Sequence, residues 1–167
     1  MAERVLVTGA TGFIGRHIPA LLYARGYQTH ITARSDLPRT PGITAHVVDL
    51  LHQDDARRLI QDIRPDIIIH TAWYVAHGRF WTAPENTDWL EASTALAAYA
   101  AEAGARRFIG LGSCAEYAIE AGDDTFPWPE SRRIAPATPY GEAKAALARR
   151  LGEMTEARAR FGFAWAR

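Results

Sequence analysis

Thr8-Gly9-Ala10-Thr11-Gly12-Phe13-Ile14-Gly15 sets three glycines at intervals of three residues. The stretch before it, Arg4–Thr8 (RVLVT), is short and β-branched and predicts a strand. The stretch after it, Phe13–Arg25, carries Ile14, Ile18, Leu21 and Leu22 at helical spacing, and Gly26 ends it. Pro19 falls in the early turns, where it costs less than in mid-helix. Strand, glycine turn and helix are the context that a dinucleotide-binding turn requires. Gly9 permits the tight turn, Gly12 lets a pyrophosphate approach the backbone, and Gly15 lets the helix pack close to a sheet. The helix start adds amide donors and the positive end of a dipole. A merely structural turn is the competing reading.

Working outward, strand-like and helix-like segments alternate. Gln28–Ala33 and Ile43–Val48 predict the second and third strands, and Asp54–Ile63 a short helix. Asp66–Thr71 (DIIIHT) reads as a strand buried on both faces of a parallel sheet. Glu85–Ala103 is alanine-rich and stops at Gly104, which predicts a helix. Arg107–Leu111 predicts a fifth strand, Glu120–Thr138 a proline-rich, charged loop, Pro139–Arg160 a long helix, and Phe163–Ala166 a further strand. Repeated β-α-β units with short connections predict an α/β fold with a doubly wound parallel sheet. Ligands of such sheets sit beyond the carboxyl ends of the strands. Those ends are Gly9, Arg34, Asp49, Thr71–Trp73 and Ser113.

Composition removes several function classes. The chain has 167 residues, 48% of them hydrophobic, enough for one domain with a real core. Nineteen basic residues balance nineteen acidic ones, so no field draws the chain to nucleic acid or to a membrane surface. The single cysteine, Cys114, excludes an internal disulfide and a cysteine-rich zinc site, and no metal is expected. The start, MAERVLVTGA, shows no leader pattern, and no apolar run approaches the ~20 residues of a membrane span. The expectation is a cytoplasmic protein.

Eighteen of the nineteen basic residues are Arg; the only Lys is Lys144. It lies four residues after Tyr140 in Tyr140-Gly-Glu-Ala-Lys144, so phenol and ammonium share one helical face. A free Tyr titrates near ~10, and a neighbouring ammonium favours its phenolate. Tyr140 could then exchange a proton with a hydroxyl or carbonyl while hydride moves elsewhere. An ordinary exposed helix lysine is the bland alternative.

The G-x-x-G-x-x-G spacing after Thr resembles the short-chain dehydrogenase/reductase superfamily. TGATGFIG is similar to its extended branch, the NAD(P)-dependent nucleotide-sugar epimerases, dehydratases and reductases. The resemblance covers the chain from Arg4 to Arg167 and implies one Rossmann-type domain over 1–167, with the tyrosine–lysine helix included. It implies a cofactor site of Gly9, Thr11, Gly12, Phe13, Ile14, Gly15, Arg34, Asp49, Leu50, Thr71, Ala72, Trp73, Tyr140 and Lys144. Members that prefer NAD have an Asp in the place of Ala33; here Arg34 follows at once, which favours NADP over NAD. Asp49 resembles the acidic residue contacting the adenine amino group, with a capping Asp as the alternative. Gly112-Ser113-Cys114-Ala115-Glu116-Tyr117 resembles the family's Ser-Ser-x-x-x-Tyr segment, with Gly112 in place of the first Ser and Ala118 in place of the following Gly. By that match Ser113 is catalytic beside Tyr140 and Lys144; a strand-end cap is the other reading. Tyr117 is structural or substrate-facing. His70 in His-Thr-Ala-Trp is a packed core histidine, and Asn86 matches a helix-opening Asn in a segment that family members use to support the strand-five region.

Family dehydratases carry acidic residues two and three positions before the segment's Tyr, where this chain has Ala115 and Cys114. Glu116 is expected to point elsewhere. That leaves a 4-epimerase or a 4-keto-sugar reductase acting on a nucleotide-sugar. Superfamily members that bind dinucleotide as non-catalytic redox sensors or regulators lose the Tyr or Lys, whereas Ser113, Tyr140 and Lys144 are all present. Relatives continue past the sixth strand into a lobe that closes over the nucleotide-sugar. A truncated chain is therefore expected, with Phe163 and Trp165 exposed on a cut edge that favours homo-oligomers.

Overall fold

The computed structural model describes residues 2–119 and 127–167. Residues 120–126, the first part of the expected proline-rich loop, lie outside the described residues. Six strands form one parallel sheet: β1 (Arg4–Thr8), β2 (Gln28–Ala33), β3 (Ile43–Val47), β4 (Ile67–His70), β5 (Arg107–Leu111) and β6 (Gly162–Ala166). The order is β3-β2-β1-β4-β5-β6. Order reverses between β1 and β4, which pair from Val5↔Ile67 to Thr8↔His70. A crevice therefore opens above Thr8 and His70, where doubly wound sheets bind ligands.

The helices are α1 (Ile18–Ala24), α2 (Gln53–Ile63), α3 (Glu85–Glu102) and α4 (Pro139–Ala157). The helix expected from Phe13 starts later, after a 3-10 turn at Gly15–His17. Pro19 lies in the first turn of α1, where its absent N–H leaves no bond unmade. At α4, Thr138 accepts a hydrogen bond from the Gly141 amide, and Pro139 opens the first turn. That cap fixes where Tyr140 begins its helix.

The sheet is covered unequally. On one face, Leu6, Ile68 and Phe108 are fully buried against Ile60 of α2, Leu96 of α3, and Leu147 and Leu151 of α4. On the other, Val5, Val7 and Ala10 pack on Ile18 and Leu22 of the short α1. Ile67 and Ile69, expected to be buried on both sides of their strand, are only half-buried there, because α1 does not reach across β4. Phe163 and Trp165, expected to be exposed on a cut edge, are half-buried: both pack against the main core, while β6 itself is an edge strand of the sheet. Ala164 and Ala166 are the exposed residues of β6. Among the described residues, no helix is long and apolar enough to cross a membrane.

Candidate active site

The glycine turn is shaped by contact with β4. Gly9 has φ +68°, and a Cβ there would lie 2.5 Å from the Ala72 amide nitrogen and 2.7 Å from the Thr71 carbonyl carbon. A Cβ on Gly15 would collide with the Gly9 carbonyl and the Thr71 hydroxyl. Thr71 in turn donates its hydroxyl to the Thr8 carbonyl at 2.7 Å. Gly12 differs: a Cβ there would meet only the Gly9 oxygen, at 3.2 Å, and the residue is exposed. Thr11, Phe13 and Ile14 are exposed beside it, Phe13 to 81%. The turn is thus a bare, outward-facing stretch of backbone just before a helix start, a shape that fits a pyrophosphate.

Around it, Arg34 and Asp36 are exposed just beyond β2. Asp49 follows β3, and its Oδ1 accepts the Leu51 amide at 3.0 Å, so it caps a turn locally. The Leu50 side chain belongs to the core. Ala72 and Trp73 are buried behind the turn.

The second half of the site is built on α4. Tyr140 is 9% exposed and Lys144, one turn on, is 5% exposed. The Lys144 ammonium donates to the Leu111 carbonyl at 3.0 Å. It also lies 3.7 Å above the Trp73 ring, and 5.9 Å from the Tyr140 ring centre. Burial pushes Lys144 down to about 7, opposed by the charge of Glu116. Tyr140 is pushed up, first by burial and then by Glu116 and Cys114, against a lowering hydrogen bond from Ser113. The ammonium was expected to lower Tyr140; instead it is held by a carbonyl and an indole face, and desolvation of the phenol prevails.

Ser113 lies between β5 and a 3-10 turn at Cys114–Glu116. Its hydroxyl oxygen accepts the Ala115 amide at 3.2 Å, so the capping role and the tyrosine contact coexist. An oxygen that accepts from an amide still has its proton to donate. His70 is buried between the Thr8 and Ser93 hydroxyls, at 2.8 Å from each, and burial pushes it to about 3. It is a neutral core group.

Three further residues frame the site. Asn86 lies in the first turn of α3, as its match to a helix-opening Asn implies; it accepts from Trp73 Nε1 at 2.9 Å and donates to the Phe80 and Ala83 carbonyls. It thereby folds the β4–α3 connection so that Phe80 and Trp81 stand edge-on to Tyr140, with ring centres 4.9 and 5.7 Å away. Tyr117 takes the structural one of its two expected roles: it is buried, and pairs with Ile134 across an isolated bridge. Glu116, expected to point elsewhere than the acids of the dehydratases, is fully buried and accepts the Ser113 amide at 2.7 Å. The clue was Gly112, where a Cβ would collide with the Glu116 carboxylate.

Residues 5–165 match the family described as NAD dependent epimerase/dehydratase. A UDP-glucose 4-epimerase of Neisseria meningitidis serogroup C is 30% identical over 172 residues, covering 93% of this chain and 49% of that protein. The solved UDP-Glc/GlcNAc 4-epimerase of Campylobacter jejuni superposes with a TM-score of 0.87 at 19% identity, over 98% of this chain and 52% of the other. The UDP-glucose 4-epimerase of Brucella ovis, solved with NAD, gives 0.83 at 22% identity, over 98% and 51%. The chain spans about half the length of the curated relatives it matches.

Proposed function

Because the chain belongs to the NAD-dependent epimerase/dehydratase family, we propose that residues 1–167 form one unit, the dinucleotide-binding and proton-transfer half of a nucleotide-sugar 4-epimerase or 4-keto-sugar reductase. The observation that carries this reading is the convergence of Ser113, Tyr140 and Lys144 at the carboxyl end of β5, next to the bare glycine turn. UDP-glucose 4-epimerases among the relatives support the substrate class.

In this reading the turn from Gly9 to Gly15 takes the pyrophosphate, Asp49 and Leu50 border the adenine, and Thr71, Ala72 and Trp73 line the path toward the nicotinamide. Arg34 meets a 2′-phosphate, which favours NADP, although solved neighbours carry NAD. The bound dinucleotide supplies hydride transfer. Ser113 donates its free proton to the reacting oxygen and aligns it with Tyr140. Tyr140 moves the proton, shielded from water by Phe80 and Trp81. Lys144, pushed down to about 7 by burial, is the cation one helical turn from Tyr140 and borders the nicotinamide ribose. The protein works in the cytoplasm as a homo-oligomer.

The test is a fluorescence titration with NADPH and NADH, together with initial rates on a panel of nucleotide sugars. Tight cofactor binding without turnover of any sugar would favour a non-catalytic redox sensor. The raised Tyr140 pKa is the one observation on that side.

A further inference from the structure

Glu116 closes the 3-10 turn that follows β5, and its side chain is fully buried. A buried carboxylate is tolerated only when donors occupy its lone pairs. Here three residues do so. The Ser113 amide donates to Oε1 at 2.7 Å. The Trp165 indole is shared between both oxygens at 3.0 and 3.1 Å. Arg167 Nε donates to Oε2 at 2.9 Å. The Glu116 carbonyl also accepts the Ala135 amide at 3.0 Å, so the residue ties the end of β5 to the segment before α4 and to β6. Gly112 makes the arrangement possible, since a side chain there would collide with Glu116 Oε1 and Trp165 Nε1.

Ser113 is therefore gripped at two atoms from one turn: its amide by the Glu116 carboxylate and its hydroxyl oxygen by the Ala115 amide. A buried anion held this way also acts across the site. Lys144 faces Tyr140 on its own helix, His70 on β4 and Glu116 on the turn. His70 is neutral at ordinary pH, which leaves Glu116 as the anion of the group.

Resting on the proton-transfer reading above, we propose that Glu116 is the positioning residue of this site: anchored by Trp165 of β6 and by Arg167 just after it, it fixes Ser113 against Tyr140 and supplies the buried negative charge opposite Lys144. The electrostatics give the proposal a sign. Glu116 raises both Lys144 and Tyr140, so neutralising it must lower both. A role in shape alone predicts the reverse for Lys144, because a loosened site admits water and lets the amine return upward.

Lys144 is the only lysine, so selective 13C-lysine labelling gives a single Cε resonance and a direct titration of the site without turnover. In Glu116→Gln the Lys144 midpoint is expected to fall by about half a pH unit or more. In Glu116→Asp the charge stays but the reach to Ser113 is lost. The Lys144 midpoint should then stay near that of the unaltered chain while the Ser113 amide loses protection from hydrogen exchange. On any nucleotide-sugar that is turned over, Glu116→Asp should lower kcat with little change in KM. The unaltered protein is tested as well, with a Ser113 amide expected to exchange slowly. A rise of the Lys144 midpoint in Glu116→Gln would overturn the proposal, and so would a Ser113 amide exchanging like an open loop. Failure of the enzymatic reading shows separately, as no turnover of any sugar, while the titration and exchange measurements still decide the role of Glu116.

Discussion

At the glycine turn, geometry is set by the absence of side chains: Gly9 and Gly15 nest against Thr71 and Ala72, and Gly12 is left open. At the Tyr140 end of the crevice, two strands along the sheet, geometry is set by buried polar groups. Lys144 is held by a carbonyl and an indole, and Glu116 by an amide, an indole and a guanidinium. The first region is steric and nearly indifferent to pH. The second places ionisable groups where water would solvate them better, and needs close pairing to keep them. Binding and chemistry are thus divided between a rigid half and an electrically tense half, joined through Thr71–Trp73.

The largest effect should come from the tense half. Tyr140→Phe removes the proton-transfer group and leaves the aromatic packing with Phe80 and Trp81 almost unchanged. Turnover of a nucleotide-sugar is expected to fall by roughly 10²–10⁴-fold, with cofactor affinity nearly intact. Lys144→Arg should be severely impaired too, because a guanidinium cannot fit where a compact ammonium sits between Leu111 and Trp73. A rate close to that of the unaltered enzyme in either variant refutes the assignment.

The turn should respond in stability rather than rate. Gly15→Val drives a branched side chain into the Gly9 carbonyl and the Thr71 hydroxyl, and should destabilise the fold by about 1–3 kcal/mol. Gly12→Ala meets only one oxygen, at 3.2 Å, so thermal stability should hold while dinucleotide affinity falls. Equal loss of stability in both variants, read by thermal denaturation, would show that the turn is not divided into a packed side and an open side.

How much of this was legible in sequence follows from the range of the interactions. The glycine turn and the Tyr140–Lys144 pair are local patterns, and spacing alone places them. The grip on Glu116 comes from Trp165 and Arg167, which lie 49 and 51 residues further on. Adjacency to Tyr117 says nothing about such partners, so the burial of Glu116 and what it holds were not legible. The same applies to Trp73, whose ring faces Lys144 of α4 from the connection that follows β4. Ile67 and Ile69 were misjudged for a related reason: an apolar run shows that a strand is apolar, not how far the covering helix extends.

Acid should separate the two halves further. His70 is held neutral by burial down to about 3, against an ordinary value of 6.5. The folded state thus refuses a proton that the unfolded chain accepts. Stability is whole above pH 6.5 and falls as pH drops from there toward 3, by about 1.4 kcal/mol per pH unit. His30 and His46, also lowered by burial, add in the same direction. Lys144, lowered to about 7, gives its loss higher up, as pH falls from 10.5 toward 7, and then no more. Urea midpoints at pH 8, 6.5 and 5 should fall most steeply over the last interval, and His70→Asn should flatten that fall. A pH-independent midpoint would mean that His70 is not sealed.

The smallest effect concerns the steric half and its one charge. Arg34 is exposed beyond β2, Ala33 before it carries no carboxylate, and Asp36 lies two residues further on. If Arg34 meets a 2′-phosphate, NADPH binds more tightly than NADH, and charge-assisted bonds of about 1.5–3 kcal/mol make the preference roughly 10–100-fold. An exposed pair is screened, so the preference should shrink as salt rises past a Debye length of ~8 Å at physiological ionic strength. Arg34→Asp repels the phosphate and offers a carboxylate to the ribose hydroxyls, so the preference should reverse while Tyr140 and Lys144 titrate as before. Fluorescence titration with both cofactors at two salt concentrations reads each part. An NADPH affinity unchanged by Arg34→Asp would remove Arg34 from the site, leaving cofactor choice to the backbone that the glycines expose.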